Sequence, residues 1–132
     1  MVYVSFFVIH FERKNDIPFT IASASIKENI DFFIESFGLD RWIKPEDIVY
    51  DDGTYENKIA MFHKAADVIG IDMKDIRIYE DSNSGIRNAY DAGCEQIVVI
   101  CDKENEEEFL KTSRSYRSYA GFFLCKRIVI QI

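Results

Sequence analysis

The sequence predicts an α/β protein built on a mostly parallel sheet. Short apolar runs without polar alternation, which are typical of strands buried on both faces, alternate along the chain with amphipathic helical stretches. Strands that alternate with helices indicate a parallel sheet with helices on both of its faces. The length of 132 residues fits one domain, and no internal repeat or low-complexity linker interrupts it. We therefore expect a single domain over residues 1–132.

Each predicted element is a run with strand-like or helix-like apolar spacing that stops at a glycine or a polar turn. In chain order we expect a strand at 18–22, a helix at 26–37, a strand at 48–50, a helix at 58–69, a strand at 76–79, a helix between Gly85 and Gly93, a strand at 97–101, an acidic helix start at 103–110 and a strand-like end at 122–132.

Apolar residues at helical spacing predict the inward faces of the first two helices. The expected inward residues are Ile26, Ile30, Phe33, Ile34 and Phe37 in the first helix, and Ile59, Phe62, Ala66 and Ile69 in the second.

Composition excludes several classes of function. Sixteen basic against 23 acidic residues give a net charge of −7, which argues against a nucleic-acid partner and against an anionic membrane surface. No apolar run reaches the roughly 18 residues of a membrane span. The cysteines Cys94, Cys101 and Cys125 form no CxxC pair, so we expect no zinc site. We expect these thiols to be reduced, as in a cytoplasmic protein.

Two adjacent acids follow the strand predicted at 76–79. Glu80 and Asp81 lie where ligands collect in an open parallel sheet, at the carboxyl end of a strand. Paired carboxylates suit Mg²⁺, which takes one or two of them together with phosphate and water. The alternative is that both acids only cap the following helix, whose N-terminus favours negative charge.

Two other segments carry residues that suit an anionic ligand. Ser23 lies at the carboxyl end of the first predicted strand between Ala22 and Ala24, and a hydroxyl before a helix N-terminus can bind an anion. Lys58 opens the helix at 58–69, where its charge can neutralise a phosphate. Taken alone, Ser23 also suits an ordinary helix start and Lys58 a solvated surface.

The order of these segments resembles the haloacid dehalogenase-like (HAD) hydrolase superfamily. The sequence reads IASAS at 21–25, then a lysine that opens a helix, then IYEDSNSGIRNAYDAG at 78–93. The last segment is similar to the ED-S-x-x-G-I-x-x-A-x-x-A-G block of the β-phosphoglucomutase-like branch. The resemblance covers residues 17–104 and implies a Rossmann-like three-layer core.

The resemblance also implies roles for individual residues. Ser23 matches the hydroxyl that holds the transferring phosphate, and Lys58 matches the lysine that stabilises the phospho-aspartate and the charge of the nucleophile. Glu80 and Asp81 match the Mg²⁺ ligands. Ala24 and Ser25 fall on the substrate side of the serine. The implied reaction is phosphoryl transfer through an aspartyl phosphate on a small phosphorylated molecule.

The sequence departs from the family at the nucleophile. The family uses the first Asp of a D-x-D-G-T/S motif after an N-terminal strand. Here DDGT at 51–54 has Tyr50 at the nucleophile's position, and the chain contains no D-x-D. We expect Asp51–Thr54 to form a turn. The nucleophile strand and the cap domain are expected to be absent, which gives a truncated fold. Either residues 6–15 are the remainder of the helix before the serine strand, or the N-terminus is a strand and Val2–Ile9 fill the gap in the sheet.

These observations leave three functional hypotheses open. The chain is a HAD-like phosphatase or phosphoglucomutase-type domain with impaired catalysis, a non-catalytic module that binds phosphate and Mg²⁺, or an assembly module in which Glu80 and Asp81 are helix caps. A homo-oligomer that covers exposed sheet edges is a further expectation.

Overall fold

The computed structural model describes residues 16–100, 104–114 and 122–125. Predictions that concern residues 1–15, 101–103, 115–121 and 126–132, including the strand at Val2–Ile9, lie outside this part of the chain. The chain divides into two compact units: the described residues of the N-terminal unit are 16–71, and those of the C-terminal unit are 72–100, 104–114 and 122–125.

The N-terminal unit contains a short parallel sheet. Strand β1 (Ala22–Ser23) pairs with β2 (Val49–Tyr50), and Ser23 lies opposite Tyr50. The backbone N–H of Asp51 donates to the carbonyl of Ser25 over 3.1 Å, so the segments that leave the two strands stay in contact at their carboxyl ends.

The predicted strand at 18–22 is wrong in its extent, because only Ala22 of that run lies in β1. The partner segment limits the ladder, because Pro45–Asp47, just before β2, form a 3-10 helix and are not extended. Pro18 also has no backbone N–H to donate. The second strand, predicted at 48–50, begins one residue later than expected.

Two helices follow these strands, as the sequence predicts. Helix α1 (Lys27–Phe37) ends at Gly38, and helix α2 (Lys58–Ile69) ends at Gly70; both glycines have positive φ, 59° and 71°, a conformation that favours glycine. The Asn57 side chain caps α2 by accepting a hydrogen bond from the backbone N–H of Ala60 over 3.0 Å. The predicted bounds of α2 are therefore confirmed at both ends.

The predicted inward face of α1 is only partly correct. Ile30 is buried, and Phe33 and Ile34 are half-buried, but Ile26 is 54% exposed and Phe37 is 57% exposed. Ile26 has an extended backbone as the N-cap, so it does not share the helical face. Phe37 stacks on Phe33 with ring centroids 6.2 Å apart.

The inward face of α2 agrees better with its prediction. Phe62 and Ala66 are buried, and Ile59 and Ile69 are half-buried.

The C-terminal unit contains a three-stranded parallel sheet in the order β3-β4-β5. The strands are β3 (Arg77–Glu80), β4 (Gln96–Val99) and β5 (Phe122–Cys125). Glu80 lies opposite Val99, and Val99 lies opposite Cys125. The predicted parallel pairing is confirmed. Strand β3 begins one residue later than predicted, and β4 begins one residue earlier. Glu80 is therefore the last residue of β3 and not the residue after it.

In the described residues of this unit, two α-helices follow strands: α3 (Asn83–Asp91) follows β3, and α4 (Glu106–Arg114) follows β4. Helix α3 buries Ile86 and Ala89 almost completely, at 1% and 0% exposure. Crossover helices of this kind join parallel strands, which a tight turn cannot connect. The acidic first turn predicted for the last helix is confirmed at Glu106, Glu107 and Glu108.

Cys94 lies between α3 and β4 as a buried free thiol. Its Sγ donates to the carbonyls of Ile76 and Gln96, each over 3.3 Å. Burial raises the pKa of the Cys94 thiol above its ordinary value. Of the other two cysteines, Cys101 lies outside the described residues, and Cys125 lies in β5.

Within the described ranges, no helix combines the length and the apolar character that a bilayer crossing needs.

Replacing Asn57 with alanine should lower the free energy of unfolding by about 1 kcal/mol, because it removes the side-chain cap of α2. Urea unfolding of the purified chain measures the change. Lys64→Ala, at an exposed position of the same helix, is the matched control. Equal stability of the two variants would contradict the capping role of Asn57.

Candidate functional site

Ser23 lies at the carboxyl end of β1, where the chain turns towards α1. Its Oγ accepts a hydrogen bond from the backbone N–H of Ser25 over 3.2 Å. That bond uses a lone pair of the hydroxyl and leaves its hydrogen to donate to another acceptor. Ala24 is exposed between the two serines, which are half-buried. This turn, residues 23–25, therefore carries a hydroxyl donor at the edge of the sheet.

Helix α1 begins directly after this turn. Its N-cap residue, Ile26, forms no side-chain cap hydrogen bond. Backbone N–H groups in the first turn of a helix have no partner within the helix, and they favour an anion. The start of α1 and the Ser23 hydroxyl are therefore chemically suited to a phosphate group.

Lys58 is the first residue of α2 and is half-buried. Its Nζ lies 5.5 Å from the ring centroid of Phe62, one helical turn later. The face of an aromatic ring attracts an ammonium group, so Phe62 restricts the positions that the lysine charge can take. The cap at Asn57 fixes the start of the helix, and through it the place of Lys58.

The segment Asp51–Thr54 forms a turn, as predicted. Asp51 Oδ1 accepts from the N–H of Gly53 over 3.0 Å, and Asp52 Oδ1 accepts from the N–H of Thr54 over 2.9 Å and from its hydroxyl. Hydrogen bonds from Thr54 lower the pKa of the Asp52 carboxyl. Asp51 and Asp52 thus act as acceptors within their own loop.

Glu80 is the last residue of β3, and its side chain is 7% exposed. Its Oε2 accepts from the backbone N–H of Asp81 over 3.3 Å, and its carbonyl accepts from the N–H of Ile100 over 2.8 Å. The carboxylate lies over Gly85, in the first turn of α3. A Cβ built on Gly85 would lie 2.6 Å from Glu80 Oε1 and closer still to Cδ and Oε2.

Asp81 follows β3 and is exposed, in contrast to Glu80. Ser82 then caps α3 by accepting from the N–H of Gly85 over 3.0 Å. Asn83 donates from Nδ2 to Glu108 Oε1 over 3.1 Å, which ties α3 to α4, and its Oδ1 is buried with no hydrogen-bond partner among the described residues. Ser82 is therefore the N-cap of α3, and the helix does not need Asp81 as its cap.

Each unit brings together some of the predicted site residues. In the N-terminal unit, Ser23, Ala24 and Ser25 share one turn, and α2, which starts at Lys58, packs on β1 and β2. In the C-terminal unit, Glu80 and Asp81 are adjacent at the end of β3. The convergence of all these residues on one phosphate and one Mg²⁺ stays a prediction.

The described residues fit a Mg²⁺ that shares its coordination shell with water and phosphate. Mg²⁺ is usually held by one or two carboxylates and keeps several waters, and the exposed Asp81 supplies such an oxygen ligand. In the described part of the chain, no group of three or more His, Cys, Asp or Glu side chains is arranged to hold a metal ion. A site made entirely of protein ligands, as zinc or calcium prefers, is therefore not found there.

Comparison with known proteins identifies the fold. No protein-family model and no curated protein sequence matches the chain. A crystal structure of a HAD hydrolase, family IA, variant 3, from Entamoeba histolytica HM-1:IMSS matches with a TM-score of 0.75 and 28% sequence identity over 81% of this chain. The chain has a HAD-like fold. It spans 48% of that hydrolase, so it corresponds to about half of the longer protein.

Sequence reasoning missed residues that contact or cap the segments of the candidate site. Phe62 lies four positions after Lys58, a spacing at which helical side chains meet. Ser82 is a typical N-cap residue directly before the helix. The sequence identifies Gly85 only as part of the motif at 78–93. Its contact with the buried Glu80 carboxylate cannot be seen there, because that contact forms only in the folded turn.

Replacing Thr54 with alanine should raise the pKa of Asp52 towards that of a free aspartate, because it removes the hydroxyl that donates to the carboxylate. Carboxyl-resolved NMR titration measures this pKa. In the wild type, the lowered pKa adds stability above the unfolded-state pKa, and that contribution is lost as the pH falls through the folded-state value. An unchanged Asp52 pKa in the variant would contradict the hydrogen bond.

Proposed function

We propose that the chain is a HAD-like phosphatase-type domain that binds the phosphate group of a small phosphorylated molecule together with Mg²⁺. The observation that carries the proposal is the position of the polar residues. Ser23 and Glu80 end parallel strands, Asp81 follows one, and Lys58 starts a helix. Ligands of open α/β sheets bind outside the carboxyl ends of the strands. Similarity to a structure described as a HAD hydrolase supports the same reading.

The proposed roles follow from the chemistry of each group. The Ser23 hydroxyl and the N–H groups at the start of α1 donate to phosphate oxygens, and Lys58 offsets their negative charge. Ala24 and Ser25 line the substrate side of the same turn. In the C-terminal unit, the acidic pair Glu80 and Asp81 supplies the carboxylate chemistry for Mg²⁺. When bound there, Mg²⁺ would neutralise charge on the phosphoryl oxygens.

The finer assignment is to the β-phosphoglucomutase-like branch. It is supported by the block at 78–93, whose Ser82, Gly85 and Ala89 have structural roles as helix cap, carboxylate contact and buried helix face. A cytoplasmic location is part of the same proposal and is supported by the cysteine pattern. A homo-oligomer that covers sheet edges stays a prediction.

We further propose that this chain binds its ligand without efficient turnover. Covalent phosphoryl transfer by the route of this superfamily uses a carboxylate nucleophile. At the place where DDGT invites comparison with the family motif, the side chain is that of Tyr50, and Asp51 and Asp52 accept hydrogen bonds from their own loop. The alternative of an assembly module remains for a chain that binds neither phosphate nor Mg²⁺.

The purified chain should hydrolyse a generic aryl phosphate with Mg²⁺ no faster than a buffer control with the same Mg²⁺. Release of the phenol measures the rate. Robust turnover that Asp81→Asn abolishes would overturn the proposal of a catalytically impaired domain.

Inorganic phosphate should bind the wild-type chain in the presence of Mg²⁺, and Lys58→Gln should weaken that binding roughly tenfold, about the effect of one charged hydrogen bond. Isothermal titration calorimetry measures the affinity. Lys64→Gln is the matched control, because Lys64 is exposed further along the same helix. Equal affinities of the two variants would exclude Lys58 from the phosphate site.

A further inference from the structure

Glu80 is the one charged residue that is buried in the described part of the chain. An ionised carboxylate is seldom buried unless hydrogen bonds or charges compensate for the lost water. Part of that compensation comes from the backbone N–H of Asp81, which donates to Glu80 Oε2. The carboxylate also lies at the N-terminus of α3, where the helix dipole favours negative charge.

The space for this carboxylate exists because residue 85 has no side chain. All three atoms nearest to a Cβ built on Gly85 belong to the Glu80 carboxylate, and Oε1, the furthest of them, would be 2.6 Å away. Real Cβ atoms do not approach other heavy atoms so closely. Gly85 does not have a positive φ. A side chain at residue 85 would therefore require the Glu80 carboxylate to move, whereas the backbone conformation does not demand glycine.

We propose that Glu80 is a positioning residue that holds the first turn of α3 in place, and that Asp81 is the only Mg²⁺ ligand of this pair. The assignment of Asp81 as a ligand rests on the proposed function, whereas the positioning role of Glu80 does not. Glu80 contacts Gly85 and accepts a hydrogen bond from the backbone N–H of Asp81, whose own side chain is exposed.

The coordination chemistry of Mg²⁺ separates the two acids. Mg²⁺ demands near-octahedral geometry and keeps several waters, so a ligand must present an open face. The Asp81 side chain is exposed and meets this need. The Glu80 carboxylate has both of its oxygens against Gly85 and is 7% exposed, which leaves little room for a hydrated ion.

The first test compares Gly85→Ala in three backgrounds by thermal unfolding. In the wild type, the added methyl group collides with the carboxylate, and we expect the melting temperature to fall by about 5 °C or more. In Glu80→Gln, which keeps the side-chain volume, we expect a similar fall. In Glu80→Ala the collision is gone, and the higher helix propensity of alanine should leave the melting temperature unchanged or raise it.

The change in melting temperature that Gly85→Ala causes in the Glu80→Ala background decides whether Glu80 positions the first turn of α3. Should Gly85→Ala prevent folding, recovery of a folded chain by the added Glu80→Ala change supports the contact. An equal loss of stability in all three backgrounds would overturn it. Ser84→Ala, at an exposed position in the same turn, is the control for an ordinary substitution there.

The second test titrates MgCl₂ into the full chain by calorimetry. Asp81→Asn should weaken Mg²⁺ binding at least tenfold more than Glu80→Gln does. Glu80→Ala should weaken it as well, because Asp81 loses its support, and the conservative Glu80→Gln should restore most of that loss. A Glu80→Gln variant that loses as much affinity as Asp81→Asn would make Glu80 a direct ligand and overturn the inference.

The two tests keep the inference distinct from the proposed function. A wild-type chain that binds no Mg²⁺ would defeat the proposed function and the assignment of Asp81. The melting comparison does not involve the metal, so it decides the role of Glu80 in that case as well.

Discussion

The contact between the Glu80 carboxylate and Gly85 is the constraint on which the turn from β3 to α3 depends. It joins the end of β3 to the first turn of α3, and with the carboxylate in this position a side chain at residue 85 has no room. Ser82 adds the N-cap that starts the helix. The buried Glu80, the missing side chain at residue 85 and the helix cap thus define one turn, in which Asp81 is exposed.

In the N-terminal unit, loop and side-chain contacts hold the segments that carry the polar residues. Its strands are only two residues long, and the hydrogen bond from Asp51 to Ser25 extends their contact beyond the ladder. The cap at Asn57 fixes the start of α2, and the ring of Phe62 lies close to the Lys58 ammonium group. Short strands therefore suffice here because side-chain and loop contacts hold the segments that carry the polar residues.

The sequence predicts most of this fold because its signals are local. Helix α2 was predicted with correct bounds, since Lys58 follows a capping asparagine and Gly70 supplies a stop. The parallel pairing of β3 and β4 follows from the alternation of strands and helices. The first strand is shorter than its apolar run predicts because the segment before its partner strand, Pro45–Asp47, forms a 3-10 helix, which apolar spacing does not reveal.

The candidate site was less predictable, because its geometry depends on tertiary contacts. Glu80 and Asp81 are adjacent and chemically alike in the sequence, yet one is buried and the other exposed. Only the folded turn, in which Gly85 comes to lie beneath a carboxylate, distinguishes them. The exposure of Ile26 has a similar origin, since an N-cap residue leaves the helical face that its spacing suggests.

The buried thiol of Cys94 has a practical consequence. Its raised pKa keeps the thiolate fraction low at neutral pH, and the thiolate is the form that reacts with alkylating reagents. Its two bonds to backbone carbonyls lie beside the β3–β4 ladder, so a reagent reaches the sulfur only after that part of the sheet opens. The kinetics of alkylation at Cys94 would thus report how often this end of the ladder separates in the native protein.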